Sequence, residues 1–307
     1  FGTPQQEQYL VPLLRGEIRS AFLMTEPEVA SSDPTNLQTK LTKHVGAHGR
    51  TKYVLNGRKW WSTGAMDPRC RFALVVARME YADGATNTTT NKHGAHTIVL
   101  VPMPQPGVVF ERALTLFGYD DAPNGHAEVS LKEVQLSKEN LIAGEGSGFR
   151  VSQARLGPGR IHHCMRAIGM AARSLELMLE RSMERQAFGK YLAEHGGCQE
   201  MIADSVADLE SARCLTLNCA ATMDVVKEPK LARNQVALIK YAVPDMTYRV
   251  VDRAIQLFGG AGVSDQDHCL ARFLVGLRSL RIADGPDAVH KRTVAVSFLK
   301  KFHQSRL

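Results

Sequence analysis

The feature that most limits what this chain can fold into is a change of hydrophobic period close to residue 148. From Ile18 to about Val134 the apolar residues come in short β-type runs separated by turn residues: Phe22 to Thr25, Tyr53 to Leu55, Phe72 to Ala77, Thr97 to Val101 and Ala127 to Leu131. From about Gly148 onward they recur at three- and four-residue steps in "MRAIGMAARSLELMLERSMERQAF", "MIADSVADLESARCLTLNCAATMDVV" and "QVALIKYAVPDMTYRVVDRAIQLF", with two further helices expected over about 266 to 281 and 286 to 303. Pro244 is expected to kink the third of these helices. Strands segregated before helices mean an α+β fold: a mostly antiparallel β domain followed by a helical bundle with its own core. Residues 1 to 15 read as the tail of an earlier helix. Asn56-Gly57 between two β-type runs predicts a two-residue hairpin, because both positions tolerate positive φ. The polar stretch "GATNTTTNKHG", 84 to 94, reads as a loop carrying an idle Asn87-Thr88-Thr89 sequon.

Composition excludes several function classes. No run of about 18 uncharged apolar residues exists, so membrane insertion is not expected. The six cysteines form no C-x-x-C pair and have no His at zinc spacing, which argues against a disulfide framework and a structural metal. No G-x-G-x-x-G follows a strand, so a Rossmann nucleotide site is not supported. The net charge of +7 is spread without a dense basic block, so nucleic acid is not the expected partner. The start at Phe1 without a cleavable signal pattern reads as a piece of a longer protein. Ser305-Arg306-Leu307 fits the small/basic/leucine pattern of a peroxisomal address, with the mitochondrial matrix as the alternative.

Four stretches could carry chemistry, and each has a plainer reading. "MTEPEVASSD", 24 to 33, is a strand end entering a Ser- and Asp-rich loop that reads either as a turn or as a holder of an anionic ligand. "KWWSTG", 59 to 64, sets two tryptophans on opposite faces of a strand, so one packs on the core and the other covers a ligand or the surface. "ERQAFGK", 184 to 190, puts a cation and an aromatic on one side of a helix end, with Gly189 as its stop. "QLFGGAG", 256 to 262, closes another helix with glycines that cap it or let backbone approach a ligand.

Taken in order, a T-E-P loop, a W-x-T strand end, E-R-x-x-F-G, Q-x-F-G-G-x-G and an acidic residue before Gly resemble the acyl-CoA dehydrogenase family over essentially all 307 residues. "MTEPEVASSD", "KWWSTG", "ARLGPGRIHH" (154 to 163) and "RIADGPD" (281 to 287) look most like the subgroup of mammalian members ten and eleven and their plant peroxisomal relatives. The resemblance implies residues 1–16 as the end of an N-terminal helical domain otherwise absent, 17–136 as the middle β domain, and 137–307 as a C-terminal four-helix-bundle domain. It implies FAD shared between subunits of a homodimer or homotetramer. By the same resemblance Met24, Thr25 and Ser31 line the flavin and thioester site, Trp61 covers the flavin ring, and Thr63 hydrogen-bonds near its reactive nitrogen. Arg185, Phe188, Gln256, Gly259 and Gly260 are implied to contact the adenine-diphosphate half, largely from a neighbouring subunit.

The implied reaction is α,β-dehydrogenation of an acyl-CoA thioester to a trans-2-enoyl-CoA in fatty-acid β-oxidation, with the electrons passed to an acceptor flavoprotein or to oxygen. Asp284 falls where most members carry the basic Glu of Y-E-G-T, and Arg160 is implied to lie near it. The alternative family position for the base is Gly159 here. Ser31, Ala283 and Gly285 are implied to meet substrate; the short Asp284 and small Ala283 suggest a bulky, branched, hydroxylated or long acyl group. Such a base is expected to be desolvated, with its pKa raised. Local sequence offers a rival, since Asp284-Gly285-Pro286 also reads as a helix cap with Pro286 at the first helical position. Rival functions are a peroxisomal acyl-CoA oxidase, a nucleic-acid-binding flavoprotein of the same fold and a non-catalytic scaffold.

Overall fold

The structure is a computed structural model, and it describes residues 2–46, 49–82, 94–226 and 232–306. The loop and sequon expected over 84 to 94 lie outside the described residues apart from Gly94. The chain divides into two compact units, Phe1–Ala154 and Arg155–Leu307.

The first unit opens with α1 (Pro4–Leu14) and continues through β1 (Arg19–Leu23), β2 (Lys40–Val45), β3 (Thr51–Thr63), β4 (Cys70–Tyr81), β5 (His96–Pro102), β6 (Val108–Leu114), β7 (His126–Leu136) and β8 (Leu141–Ile142). The strands join in the order β6-β7-β3-β2-β4-β5-β8, with β1 beside β4. Most pairs are antiparallel as expected, but β1 and β2 each run parallel to β4. The continuous apolar runs of β4 and β5 have a simple cause, because these strands are covered on both faces. Ala73, Val75, Ala77, Val99 and Val101 point into one core. Phe72, Val76, Ile98 and Leu100 point into another, covered by Tyr9 and Leu13 of α1. β6 escaped the sequence reading because most of its residues are exposed, which leaves no apolar alternation to read.

The hairpin expected at Asn56-Gly57 is absent. β3 runs straight through both residues, and their signal serves a bulge. Gly57 lies so close to Thr39 that a Cβ would stand 2.4 Å from its hydroxyl. Asn56 Nδ2 donates to Glu133 Oε1 at 2.6 Å and its Oδ1 accepts from the Glu133 N–H at 2.8 Å, pinning the extra residue that β7 carries at a φ of 53°. An Asn that reaches across to a neighbouring strand has the same local sequence as one that turns the chain.

The second unit begins within α2 (Gly148–Glu184), followed by β9 (Gln186–Ala187), β10 (Lys190–Tyr191), α3 (Gly196–Val225), α4 (Arg233–Phe258), α5 (Gly260–Val263), α6 (Leu270–Leu280) and α7 (Asp287–Gln304). Cys164, Ala167 and Ala171 of α2 pack against Leu209 and Ala212 of α3, Ile239 and Val250 of α4 and Leu277 of α6, the interdigitated core that the helical spacing predicts. α7 packs on α4. α4 is continuous through the buried Pro244. No described helix is long and apolar enough to cross a membrane.

Candidate active site

In the first unit the T-E-P loop and the end of β3 are bound to one another through a buried ion pair. Lys59 Nζ donates to Glu26 Oε1 at 2.7 Å and to the Met24 carbonyl at 3.0 Å, and the Trp60 N–H donates to the Thr25 carbonyl at 3.0 Å. Glu26 also accepts from the backbone N–H groups of Gln38 and Thr39. Burial pushes the Lys59 ammonium down to about 8 against the pull of Glu26. Burial pushes the Glu26 carboxyl up, and Lys59 with its other hydrogen bonds holds it below its ordinary value. Both residues lie inside motifs that stand out in the sequence, the T-E-P loop and "KWWSTG", but neither has a role assigned there.

The two tryptophans do not simply alternate. Lys59 pairs with Val129 and Ser62 with Ala127, so Trp60 and Trp61 together oppose Glu128. This bulge holds Trp61 at a φ of 50°, a strained conformation for a bulky residue and one that bulges use to re-aim a side chain. The Trp61 ring remains 36% exposed and meets the His126 ring edge-on at 5.5 Å. His126 Nδ1 lies 2.9 Å from the exposed Thr63 hydroxyl, and burial pushes its imidazole down against the pull of Asp121 and Asp120. Trp60 Nε1 and Ser62 Oγ are buried without a partner among the described residues. An open aromatic face, a hydroxyl and orphaned polar groups along one strand end fit a flat ring bearing hydrogen-bonding atoms. Ser31 is exposed in the loop beyond Glu26.

The second unit holds two groups. At the C-terminal ends of α2 and α4, Leu177 and Met178 pack with Ala254 and Phe258, which sets Arg185 and Phe188 and then Gln256, Gly259 and Gly260 at one end of the helices. Arg185 and Phe188 lie beyond α2 rather than on it, and Gly189 does not stop the helix. Gln186–Ala187 and Lys190–Tyr191 pair antiparallel, and the two residues between them, Phe188 and Gly189, have φ of 53° and 81°. That double left-handed turn is the hairpin geometry foreseen at Asn56-Gly57. It leaves Phe188 98% exposed, while nothing stands within 4 Å of a Cβ built on Gly259 or Gly260. An exposed aromatic and bare backbone suit a stacking, polar ligand.

The other group surrounds Asp284, about 37 Å away along α2 as Arg160 is from Arg185. The turn after α6 places Asp284 at a φ of 54°, a strain of the kind found at functional sites. Donors hold the turn from three sides: Arg160 Nε and His290 Nε2 donate to the Asp284 carbonyl at 3.0 and 3.2 Å. The buried Lys240 Nζ donates to the Leu280 and Gly285 carbonyls at 2.6 and 3.3 Å. Burial pushes His290 down to about 4, so it is neutral. Gly285 must be small, since a Cβ there would stand 2.6 Å from His290 Nε2. Ala283 is exposed beside it.

Asp284 does not cap α7. The cap is Pro286, placed one position before the first helical residue, Asp287. The carboxylate instead reaches His163, with 2.9 Å between Nε2 and Oδ2. Burial pushes its pKa up, but the hydrogen bond from His163 and the charges of Arg155 and Arg160 outweigh that and leave it below its ordinary value, against the expectation of a raised base. Gly159 faces the same oxygen, with 3.6 Å between a built Cβ and Oδ2. In the sequence His162-His163, next to Arg160, reads either as a substrate contact or as packing or helix-face residues. The signal for His163 is that it lies on one helix side with Arg160 and Arg166 at three-residue steps.

Two family models match the chain: the acyl-CoA dehydrogenase middle domain over residues 21–134 and the acyl-CoA dehydrogenase C-terminal domain over 146–299. Acyl-CoA dehydrogenase family member 10 of Mus musculus is 48% identical across 100% of this chain, which covers only 27% of that protein. The probable acyl-CoA dehydrogenase FadE2 of Mycobacterium tuberculosis is 48% identical over 98% of this chain and 70% of its own. A solved structure from Mycobacterium abscessus, provisionally assigned as an acyl-CoA dehydrogenase, is 43% identical with a TM-score of 0.91, covering 98% of this chain and 71% of that one. The chain thus spans about a quarter to a third of the length of its animal relatives.

Proposed function

Because the chain belongs to the acyl-CoA dehydrogenase family, we propose that it removes an α proton and a β hydride from an acyl-CoA thioester to give a trans-2-enoyl-CoA. The observation that carries this is the Asp284 turn: a half-buried carboxylate in a strained conformation, clamped through its own carbonyl by Arg160 and His290. Asp284 accepts the α proton. Among the described residues no backbone carbonyl takes the Asp284 N–H, which leaves it available to polarise a thioester oxygen as α-proton removal requires. Arg160 positions the turn from α2 and adds positive charge near the developing enolate.

FAD, when bound, supplies the hydride acceptor. Trp61 and Thr63, with Met24, Thr25 and Ser31 in the adjoining loop, would hold its ring, and Arg185, Phe188, Gln256, Gly259 and Gly260 its adenine-diphosphate half. The adenine-diphosphate set and the Asp284 turn belong to one unit, yet the Phe188 hairpin lies far along α2 from Asp284, which supports a homo-oligomer in which different subunits supply the two. Ala283 and the short Asp284 side chain favour a bulky, branched, hydroxylated or long acyl chain over a plain medium straight one. An electron-accepting flavoprotein is the proposed partner for reoxidation. Ser305-Arg306-Leu307 supports a peroxisomal location, where oxygen could serve instead; a fluorescent reporter ending in these residues is expected to collect in peroxisomes.

The test is an anaerobic titration of the purified full-length flavoprotein with acyl-CoAs of differing length, branching and hydroxylation. Bleaching by one class is the expected result, and Asp284→Asn is expected to keep its flavin while losing the bleaching. Undiminished bleaching in that variant removes Asp284 from the role of base.

A further inference from the structure

In the sequence His162-His163, next to Arg160, could touch substrate but reads more plainly as packing or helix-face residues; the hydrogen bonds around His163 determine how it must be protonated. Arg166 donates through an NH2 nitrogen to His163 Nδ1 at 2.7 Å. A guanidinium has only donors, so Nδ1 presents its lone pair. The ring proton then resides on Nε2, the nitrogen 2.9 Å from Asp284 Oδ2, and is donated to the carboxylate. This tautomer is assigned from the hydrogen-bond network. No hydrogen bond from the described residues reaches Oδ1.

An aspartate carboxyl turns easily about its last torsion, because that torsion is broad and two-fold. A base one methylene shorter than glutamate has little reach to lose, so free rotation would repeatedly carry its accepting oxygen away from the substrate. Burial, in addition, favours the protonated and inactive form.

We propose that His163 is a positioning residue for the base: by donating Nε2–H to Oδ2 it fixes the carboxyl plane, leaves Oδ1 as the proton-accepting oxygen and keeps the carboxylate ionised. The proposal rests on Asp284 being the base. The surroundings agree in sign. α2 adds the cations Arg155 and Arg160, with Arg166 behind His163, α4 adds Lys240, and α7 adds a neutral His290. Asp287, an acid on α7, is paired with Arg281 at 2.8 Å, and Asp245 of α4 with the same guanidinium at 3.0 Å. The hydrogen bond to Asp284 Oδ2 comes from His163.

The experiment compares the full-length holoenzyme with His163→Leu, which has no donor, His163→Gln, which keeps an N–H, and Arg166→Gln, an exposed change that frees Nδ1. Infrared titration of protein carrying 13C at aspartate side-chain carboxyls, with Asp284→Asn assigning the band, reads protonation of Asp284 without turnover. In His163→Leu the carboxyl is expected to protonate about one to two pH units higher, the worth of a hydrogen bond to a charged group. The acid limb of the kcat/KM profile is expected to move up equally. His163→Gln restores both, and Arg166→Gln shifts both part of the way. Identical titrations in all variants, or a glutamine that behaves as leucine, with Asp284→Asn inactive, overturn the role of His163 and leave the base in place. A shifted titration with Asp284→Asn fully active overturns the base reading and this proposal with it.

Discussion

Replacing Lys59 by methionine tests whether the Glu26–Lys59 pair holds the first unit together. The side chains are 0% and 2% exposed and 2.7 Å apart, so the change leaves a buried carboxylate without its counter-charge. Breaking such a pair from one side costs about 3–5 kcal/mol. Two backbone N–H groups still serve Glu26, which places the expected loss near about 3 kcal/mol. For a unit of this size that corresponds to roughly 6–12 °C in Tm at about 2–4 °C per kcal/mol. The assay is calorimetry of the full-length holoprotein, following the transition of the first unit, beside the double variant Glu26→Leu/Lys59→Met. Two apolar groups need no charge compensation, so the double variant is expected to recover most of the loss. A single variant within about 1 kcal/mol of the parent, or a double variant no better than the single one, refutes the reasoning. Because Lys59 also holds the Met24 carbonyl, the single variant is expected to bind flavin more weakly.

His290 should make the second unit acid-sensitive. Its folded pKa of about 4 lies below the unfolded value of about 6.5, so its contribution is full above the unfolded value and is lost as pH falls through the folded one, amounting to at most about 3 kcal/mol. Urea denaturation at a series of pH values is expected to show this slope, and His290→Gln to flatten it; equal slopes would contradict the assignment of a buried neutral imidazole. Gly159→Ala meets Asp284 Oδ2 only at 3.6 Å and is expected to stabilise α2 by about 0.5–1 kcal/mol with flavin bleaching kept. Loss of bleaching with flavin retained would mean that the open space beside Oδ2 is itself required.

How much was legible in the chain depends on how local the cause was. α1, the five main strand runs and the long helices followed from apolar spacing, because burial of a face imposes a period on any sequence. The same reading put a hairpin at Asn56-Gly57 and none at Phe188-Gly189, although Phe at positive φ is the costlier choice. Turn chemistry was outweighed in the first case by strand pairing across to Glu133 and in the second by the close of α2. β2 and β6 were missed because exposed or Lys-rich strands carry no alternation.

The candidate site divides in the same way. Motif order alone picked out the T-E-P loop, the tryptophans, the glycine clusters and the Asp284 turn, since each has unusual local composition. Whether Asp284 caps α7 could not be read from ten residues. That depended on Pro286 taking the cap and on a histidine 121 positions earlier reaching the carboxylate. Lys59 and Lys240 are buried, and nothing in the residues beside them in the chain marks them as such. Period, composition and motif order are properties of neighbours in the chain, and they determined the elements and the family. Ionisation, tautomer and the aim of a side chain depend on groups brought close by folding, and those only the tertiary structure decided.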